Sequence, residues 1–494
     1  MQDQAIATTM RATFILAAVA SARTAALHLS LPKRPTLGRR AAKSGAAEKS
    51  MEGLNKEFFA IALPAVVQFA AEPFARLVDT AYMGRLGATA LGGAGAAVSA
   101  QYALGKLSND PLLRTSISLV AAEGETGDNS AAVAAALCLA LFVGALQGLT
   151  VLLAAPRLLQ AFGVAASSPM QSHALWYLRI AALGAPTATV WLVANGVFRG
   201  LGDTATPLKW ALAFTALNAV LDPLFIFPLR LGAAGAAAGT ALSQTLALYP
   251  LLRALAKRTG AGSVANLLRC ERSALTAQLA NYGKAGGLVL VRTLGKISAY
   301  SVCAREAAKL GAVSSAAHAV CFALGVATTQ LCEAAAVATQ TLLAREFYAE
   351  HTQDTKRSKH ILQLGMATGL GCSSLLALCT HLNRFNVVNG LTTDLRVRAA
   401  CLGVFPLVML CQALKGLAYP VNGALMGALD WSAASVTMWA SNIACLMVLA
   451  RPAPASLAKL WQGFAALFVV QCTAGLLRVG SRTGPWRRLR SSSA

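Results

Sequence analysis

Charge is scarce in this sequence. Asp, Glu, Lys and Arg make up only 13 % of its 494 residues, about half the share of a soluble domain. A chain this long with so few charges cannot clothe a water-facing globule, and its 56 % hydrophobic content calls for a bilayer instead. Acids are the scarcer sign, 20 against 43 basic residues, for a net charge of +23. That excess is not interleaved with aromatic residues on a soluble face, so no nucleic-acid partner is expected. There is no N-x-S/T sequon and no C-x-x-C pair. The eleven cysteines fall mostly in apolar runs, as Cys138, Cys321, Cys401 and Cys445 do, and read as small hydrophobes. The six histidines form no metal pattern, and His173 and His318 read as packing residues. The absence of a G-x-x-x-x-G-K-[ST] loop disfavours ATP-driven transport by this chain alone. No His/Asp, Ser/Lys or paired-Asp set suggests an intramembrane enzyme. Neither a metal nor an organic cofactor is expected.

Much of the basic excess sits at the two ends. Residues 1–56 hold Arg11, Arg23, Lys33, Arg34, Arg39, Arg40, Lys43, Lys49 and Lys56 against three acids. Rich in Ala, Ser and Thr as well, residues 1–50 suit an organelle transit peptide, with a disordered tail as the alternative. Composition does not separate plastid from mitochondrion. The expectation is a multi-pass protein of a chloroplast membrane, with mitochondrial or plasma membranes as alternatives. The other end carries Arg478, Arg482, Arg487, Arg488 and Arg490 and no acid.

Between these ends the apolar pattern predicts an all-α membrane protein of twelve spans, beginning near residues 57, 92, 130, 172, 207, 232, 278, 313, 360, 396, 428 and 457. Basic connections after the sixth span (Lys257, Arg258, Arg269, Arg272) and the eighth (Arg345, Lys356, Arg357, Lys359) share a side with both termini. The positive-inside rule makes that side cytoplasm, stroma or matrix. The chain also repeats. Asn195-Gly196-x-x-x-Gly200-x-x-Asp203 recurs as Asn422-Gly423-x-x-x-Gly427-x-x-Asp430; Arg85–Ala88 is matched by Lys309–Ala312; and Asp110 and Glu123 are matched by Glu333 and Glu346. The offsets are 227, 224 and 223 residues. Two parallel, pseudo-symmetric six-helix lobes around a central cavity follow: an N-lobe over 51–256, a linker over 257–276, a C-lobe over 277–478 and a basic tail over 479–494.

Polar groups inside the spans are functional candidates because a mid-bilayer charge costs several kcal/mol. In the first span Gln68, Glu72, Arg76 and Asp79 form one stripe at helical spacing, beside Pro73. In the fifth, Asn218 and Asp222 share a face beside Pro223, and Thr240 of the sixth can join them in a proton or Na⁺ site. Asp110 and Glu333 are expected at the shared cavity. Asn195 is assigned to the substrate cavity too, although it and Asn422 also read as helix-end caps or packing groups. Asp203 and Asp430 are expected in loops. At the repeat offsets Asp79 corresponds to Cys303 and Asp222 to Leu449, so ion coupling belongs to the first half.

The strings "EPFARLVDTAYMGRLGATALGGAG", "ANGVFRGLGDTATPL", "LNAVLDPLFIFPLRLGAAGAAAGTALSQ" and "ATQTLLARE" resemble the multidrug and toxic compound extrusion family, most of all its plant DETOXIFICATION branch with its plastid members. The likeness spans about residues 55–475. It implies a monomeric antiporter that exchanges small organic solutes, organic acids or xenobiotics, for H⁺ or Na⁺. It also implies ion-coupling roles for Asp79, Asn218, Asp222 and Thr240, with membrane lipid as the other partner. Two departures stand out, Glu72 in place of aspartate and Arg76 in place of a small residue; Arg76 either neutralises the polar stripe or attracts an anionic substrate, and both readings speak against a cationic-drug specificity. Two alternatives stand beside this reading. One is a flippase for lipid-linked intermediates, which would want extra helices and a strongly cationic cavity, neither evident in the sequence. The other is a non-transporting scaffold.

Overall fold

A computed structural model of the chain describes residues 51–490, apart from 85–87, 124–128, 163, 165, 269–270, 311, 349–354, 392–394, 453–455 and 482. Over parts of four helices, residues 70–81 among them, only the course of the helix is described. The expected transit peptide at 1–50 lies outside the described residues.

All regular structure among the described residues is helical. The first half comprises α1 (Met51–Gly84), α2 (Ala88–Glu123), α3 (Ser130–Ala161), α4 (Gln171–Leu183), α5 (Ala185–Gly200), α6 (Ala205–Ile226) and α7 (Gly232–Arg258). The second comprises α8 (Arg272–Lys309), α9 (Ala312–Tyr348), α10 (Thr355–Leu382), the short α11 (Arg384–Leu391), α12 (Leu395–Gly427), α13 (Trp431–Ala450) and α14 (Leu457–Gly480). The expected starts at 130, 232 and 457 coincide with the starts of α3, α7 and α14. Local chemistry sets several boundaries. Asp203 Oδ1 accepts from the backbone N–H groups of Ala205 and Thr206 as α6 begins, and Ser456 caps α14 through Lys459 N–H. At Gly184 the α4–α5 pair bends by 54°.

Seven described helices are long and apolar enough to cross a membrane: α3, α6, α8, α10, α12, α13 and α14, or eight crossings if α4 and α5 are one bent span. Their outer faces carry exposed apolar side chains such as Leu141, Phe142, Leu153, Leu375 and Leu477. Such faces are what lipid, rather than water, solvates.

The repeated Asn-Gly-x-x-x-Gly motif has a packing role. A Cβ on Gly196 or Gly200 would strike α2 at the Leu113 or Ile117 carbonyl. A Cβ on Gly423 or Gly427 would strike α9 at the Ala336 or Gln340 carbonyl. Small residues let α5 lie on α2, and α12 on α9, at backbone contact. One apolar cluster joins the two halves, bringing Leu54, Phe58 and Ile61 of α1 against Leu342, Leu343 and Phe347 of α9 and Leu425 of α12.

The connection at Asp430 lies in that same region. As expected, Asp430 is outside a helix, but it is buried. Its Oδ2 accepts from Arg478 Nε at 2.7 Å and from Trp486 Nε1 at 3.0 Å. The stretch expected as a basic tail therefore includes a short 3-10 turn, Gly484–Arg490, that plants a fully buried Trp486 against Phe347.

Candidate functional site

Two polar centres lie among the apolar helices. The first is on α6 and α7. Asn218 and Asp222 share a face of α6 at i, i+4, both buried, with Asp222 fully so. The Asn218 amide divides its two protons, one to Asp222 Oδ1 at 2.8 Å and one to Thr240 Oγ1 at 3.1 Å. Gly239 of α7 lies against Asp222, and a Cβ there would collide with the carboxylate. The glycine lets the helices approach closely enough for Thr240 to complete the group. The chemistry is a carboxylate, an amide and a hydroxyl in a dry cleft, a donor set that suits a proton or a small hard cation.

The second centre spans the two halves. Arg114 of α2 donates from Nε to Asp110 Oδ2 at 3.0 Å, one turn back on its own helix. Its Nη2 donates to Glu333 Oε1 of α9 at 3.1 Å. The Thr293 hydroxyl of α8 lies 3.4 Å from Asp110 Oδ2 but 2.8 Å from the Val289 carbonyl, and with one proton to give it donates to the nearer. Gln340 of α9 donates to the Arg114 carbonyl at 3.0 Å and to Ser118 at 2.7 Å.

Arg114 also lines a cavity built mainly from second-half helices. The other walls include Arg292, Lys296 and Tyr300 of α8, Tyr419 and Asn422 of α12, and Phe468 and Gln471 of α14. The cavity is partly open and spans about 320 Å³ of non-atom space, open solvent included. Arg292 Nε donates to the amide oxygen of Asn422 at 2.9 Å. Lys296 reaches Tyr419 Oη at 3.4 Å and lies over the Tyr300 and Tyr419 rings. Among the described residues, no carboxylate lies within 4.0 Å of either cation. Nearby, Lys415 is buried, with its ammonium on the Gly325 carbonyl and Gln412 and over the Phe468 ring. A strongly cationic cavity was not expected from the sequence, and the structure corrects that expectation. Two of its cations, Arg292 and Lys296, lie one turn apart on α8, and the fold brings Arg114 of α2 to join them.

The repeat is visible in the chemistry. In the first half Gln68 Nε2 donates to Asn195 Oδ1 at 2.6 Å, and in the second Arg292 donates to Asn422. Gln68 and Arg292 are separated by 224 residues, Asn195 and Asn422 by 227, matching the sequence offsets. The same offset of 224 sets Lys296 opposite Glu72. Corresponding positions of the two halves thus carry opposite or unequal charge.

Where the halves meet at the start of α1 and the ends of α5 and α9, polar contacts close the bundle. Arg345 of α9 donates to Glu57 Oε1 at 3.1 Å and to the Gly200 carbonyl at 3.3 Å. Thr341 donates to the Arg199 carbonyl at 3.0 Å. Gln278 of α8 donates to the Glu123 carboxylate, and His360 pairs with Asn55 at 2.7 Å.

Of the candidate residues, Asn218, Asp222 and Thr240 come together as expected. Asp110 and Glu333 meet through Arg114, a residue not singled out from the sequence although its i, i+4 spacing from Asp110 is visible there. Asn195 is no helix-end cap. It sits inside α5, donating to the Trp191 carbonyl at 2.7 Å and accepting from Gln68, whose Oε1 accepts from Arg199. Gln68 and Asn195 are not among the residues lining the second-half cavity. The side chains of Glu72, Arg76 and Asp79 lie outside the described residues. His318 packs among Phe322, Trp461 and Phe464, in line with its reading as a packing residue.

Comparisons with known proteins point the same way. The MatE family model matches residues 64–224. The chain is 33 % identical to the Arabidopsis thaliana protein DETOXIFICATION 44, chloroplastic, over 89 % of its own length and 85 % of the relative's. It is 31 % identical to DETOXIFICATION 45, chloroplastic, of the same plant, over 88 % and 80 % respectively. Among solved structures, the Vibrio cholerae MATE transporter VcmN in the bent form superposes with a TM-score of 0.77 at 18 % identity, covering 90 % of this chain and 99 % of that one.

Proposed function

Because this chain belongs to the multidrug and toxic compound extrusion family, whose members are transporters and not enzymes, we propose that it is a secondary antiporter carrying small organic anions in exchange for H⁺ or Na⁺. One observation carries the anionic part. Arg292 and Lys296 face the cavity with neutral partners and no carboxylate within 4.0 Å among the described residues. A buried guanidinium and a half-buried ammonium, framed by Tyr300, Tyr419 and Phe468, form a receptor for a carboxylate borne on an apolar or aromatic body.

The coupling ion, in this reading, binds at Asp222 with Asn218 and Thr240, and the family resemblance adds a coupling role for Asp79. The charge difference between the halves supports a division of labour: a cation site in the first half and an anion site in the second. Twelve crossings in two lobes, the arrangement the repeat calls for, give each lobe one site. Binding at either site biases how the lobes rock, which couples the two fluxes. The basic end, closed by Arg345 and Glu57, faces the stroma, with residues 1–50 as the plastid address.

The cationic cavity gives the flippase reading new support. The two readings differ in cargo, a lipid-linked anion against a free organic acid. The deciding experiment is flux into proteoliposomes of the purified chain under imposed proton or Na⁺ gradients, with citrate, phenolic acids and organic cations compared. Gradient-driven movement of the acids, lost in Asp222→Asn, is the expected result. Flux of organic cations alone would refute the anionic reading, and no gradient-driven flux of any solute would leave the scaffold alternative standing.

A further inference from the structure

Glu333 occupies the place that a substrate carboxylate would want. It is a second-half acid on a first-half guanidinium, and that guanidinium borders the cavity. We propose that Glu333 is a resident counter-ion, displaced from Arg114 when an organic anion loads, and that this displacement unties α2 from α9 and frees the two lobes to rock. The inference rests on the anionic reading above and adds the residue through which loading is sensed.

The argument begins with the donors of Arg114. Of five N–H groups, one on Nε serves Asp110 and one on Nη2 serves Glu333. The others leave room for an arriving carboxylate, which Arg292 and Lys296 draw into the same cavity. Three carboxylates around one guanidinium in a low-dielectric cleft repel one another strongly, and one must leave. Asp110 is tethered a single turn away on the same helix and sits on Nε, so it stays. Glu333 comes from another helix, and its side chain is the more exposed of the two, 20 % against 14 %.

Its departure matters because the Arg114–Glu333 ion pair ties α2 of the first half to α9 of the second at the cavity wall. A neutral pairing adjoins it, that of Gln340 with the Arg114 carbonyl and Ser118. An empty transporter is thus held across this contact by its own carboxylate, and a loaded one is not. The bond that is lost on loading is replaced by one of the same kind to the substrate, so the exchange costs little while the ionic part of the inter-lobe tie is removed and only the neutral Gln340 pairing is left.

The test uses the full chain in lipid nanodiscs, with benzoate as the probe anion. Binding is read by calorimetry and the α2–α9 contact by hydrogen exchange of peptides covering 110–120 and 330–342. Wild-type protein should bind benzoate and exchange several-fold faster in both peptides when it does. Glu333→Gln should bind about tenfold more tightly, because a competing buried charge is gone. It should exchange fast already without benzoate and no faster with it. Asp110→Asn should also bind more tightly yet keep slow exchange with or without benzoate, because only two carboxylates then share Arg114 and Glu333 need not leave, a split that a purely electrostatic role for Glu333 would not produce. If Glu333→Gln does not fold, Glu333→Asp, one methylene shorter, should shift both readouts in the same direction by less. Binding by wild type with unchanged exchange, or equal or weaker binding by the Glu333 variants, overturns the displacement and leaves the anionic reading intact. Absence of benzoate binding in all the proteins overturns both.

Discussion

Arg345, near the end of α9, holds Glu57, near the start of α1, with Nη1 to Oε1 at 3.1 Å, so residues 288 apart in sequence close one end of the bundle. The pair is half-buried and does not act alone, since Nη2 also takes the Gly200 carbonyl at 3.3 Å. Replacing Arg345 with Met removes both contacts and leaves the apolar stem. For a partly buried pair the loss is about 1 kcal/mol, which is roughly a fivefold change in an opening equilibrium. The start of α1 and the end of α9 should therefore exchange amide hydrogens about fivefold faster in Arg345→Met. Unchanged exchange would mean that the apolar cluster of Phe58, Leu343 and Phe347 closes this end unaided.

Asp222→Asn keeps the shape of the first-half centre and removes its charge. The new amide oxygen can still accept from Asn218, so the melting temperature should move by only a few degrees. Gradient-driven flux should fall to the uncoupled level. Gly239→Ala attacks the same centre sterically, driving a methyl group into the Asp222 carboxylate. Overpacking of this kind costs typically about 1–3 kcal/mol, so this variant should lose coupling and stability together. Thermal unfolding alongside flux separates the two outcomes.

The first-half centre was legible in the sequence because its signal is local: Asn218 and Asp222 lie one turn apart in an apolar run, beside a proline. The second centre was legible only in part. Asp110 and Glu333 announced themselves as intramembrane acids, but nothing in one dimension says that Arg114 would take both. Arg292 and Lys296 carry the same i, i+4 signal in an apolar helix that was decisive for Asn218 and Asp222. Read with equal weight given to bases, that spacing finds the cavity. Trp486 had no such signal, because its partners Asp430 and Phe347 come from two distant stretches. The repeat was the strongest long-range information available, and it correctly paired Asn195 with Asn422 and Asp110 with Glu333. It could not say that the pairs would bear different charge.

Trp486 anchors the C-terminal turn to the rest of the bundle. The side chain is fully buried, packs edge-on against Phe347 at 5.4 Å and donates to Asp430. Trp486→Ala leaves a large void and removes one donor from a buried carboxylate, for a cost of about 3–5 kcal/mol. Trp486→Phe keeps most of the volume and should cost far less. A similar loss for the two variants would assign the effect to the hydrogen bond with Asp430 rather than to packing. Thermal unfolding in detergent measures both.

Arg292 and Lys296 should set the sign of the substrate. Arg292→Gln keeps a donor for Asn422 while removing the charge, and Lys296→Met keeps the apolar stem while removing the ammonium that lies over Tyr300 and Tyr419. Each change removes a cation that an anion would meet directly, an interaction worth about 1.5–3 kcal/mol for a charged hydrogen bond. The KM for a transported organic acid should therefore rise about 10- to 100-fold in either variant, with the maximal rate changed much less, because binding and not ion coupling is damaged. The double variant should accept neutral or cationic analogues that the wild type rejects, since the repulsion that excluded them is gone. An unchanged KM in both single variants would place the anion elsewhere in the protein and remove the observation on which the choice of substrate class depends.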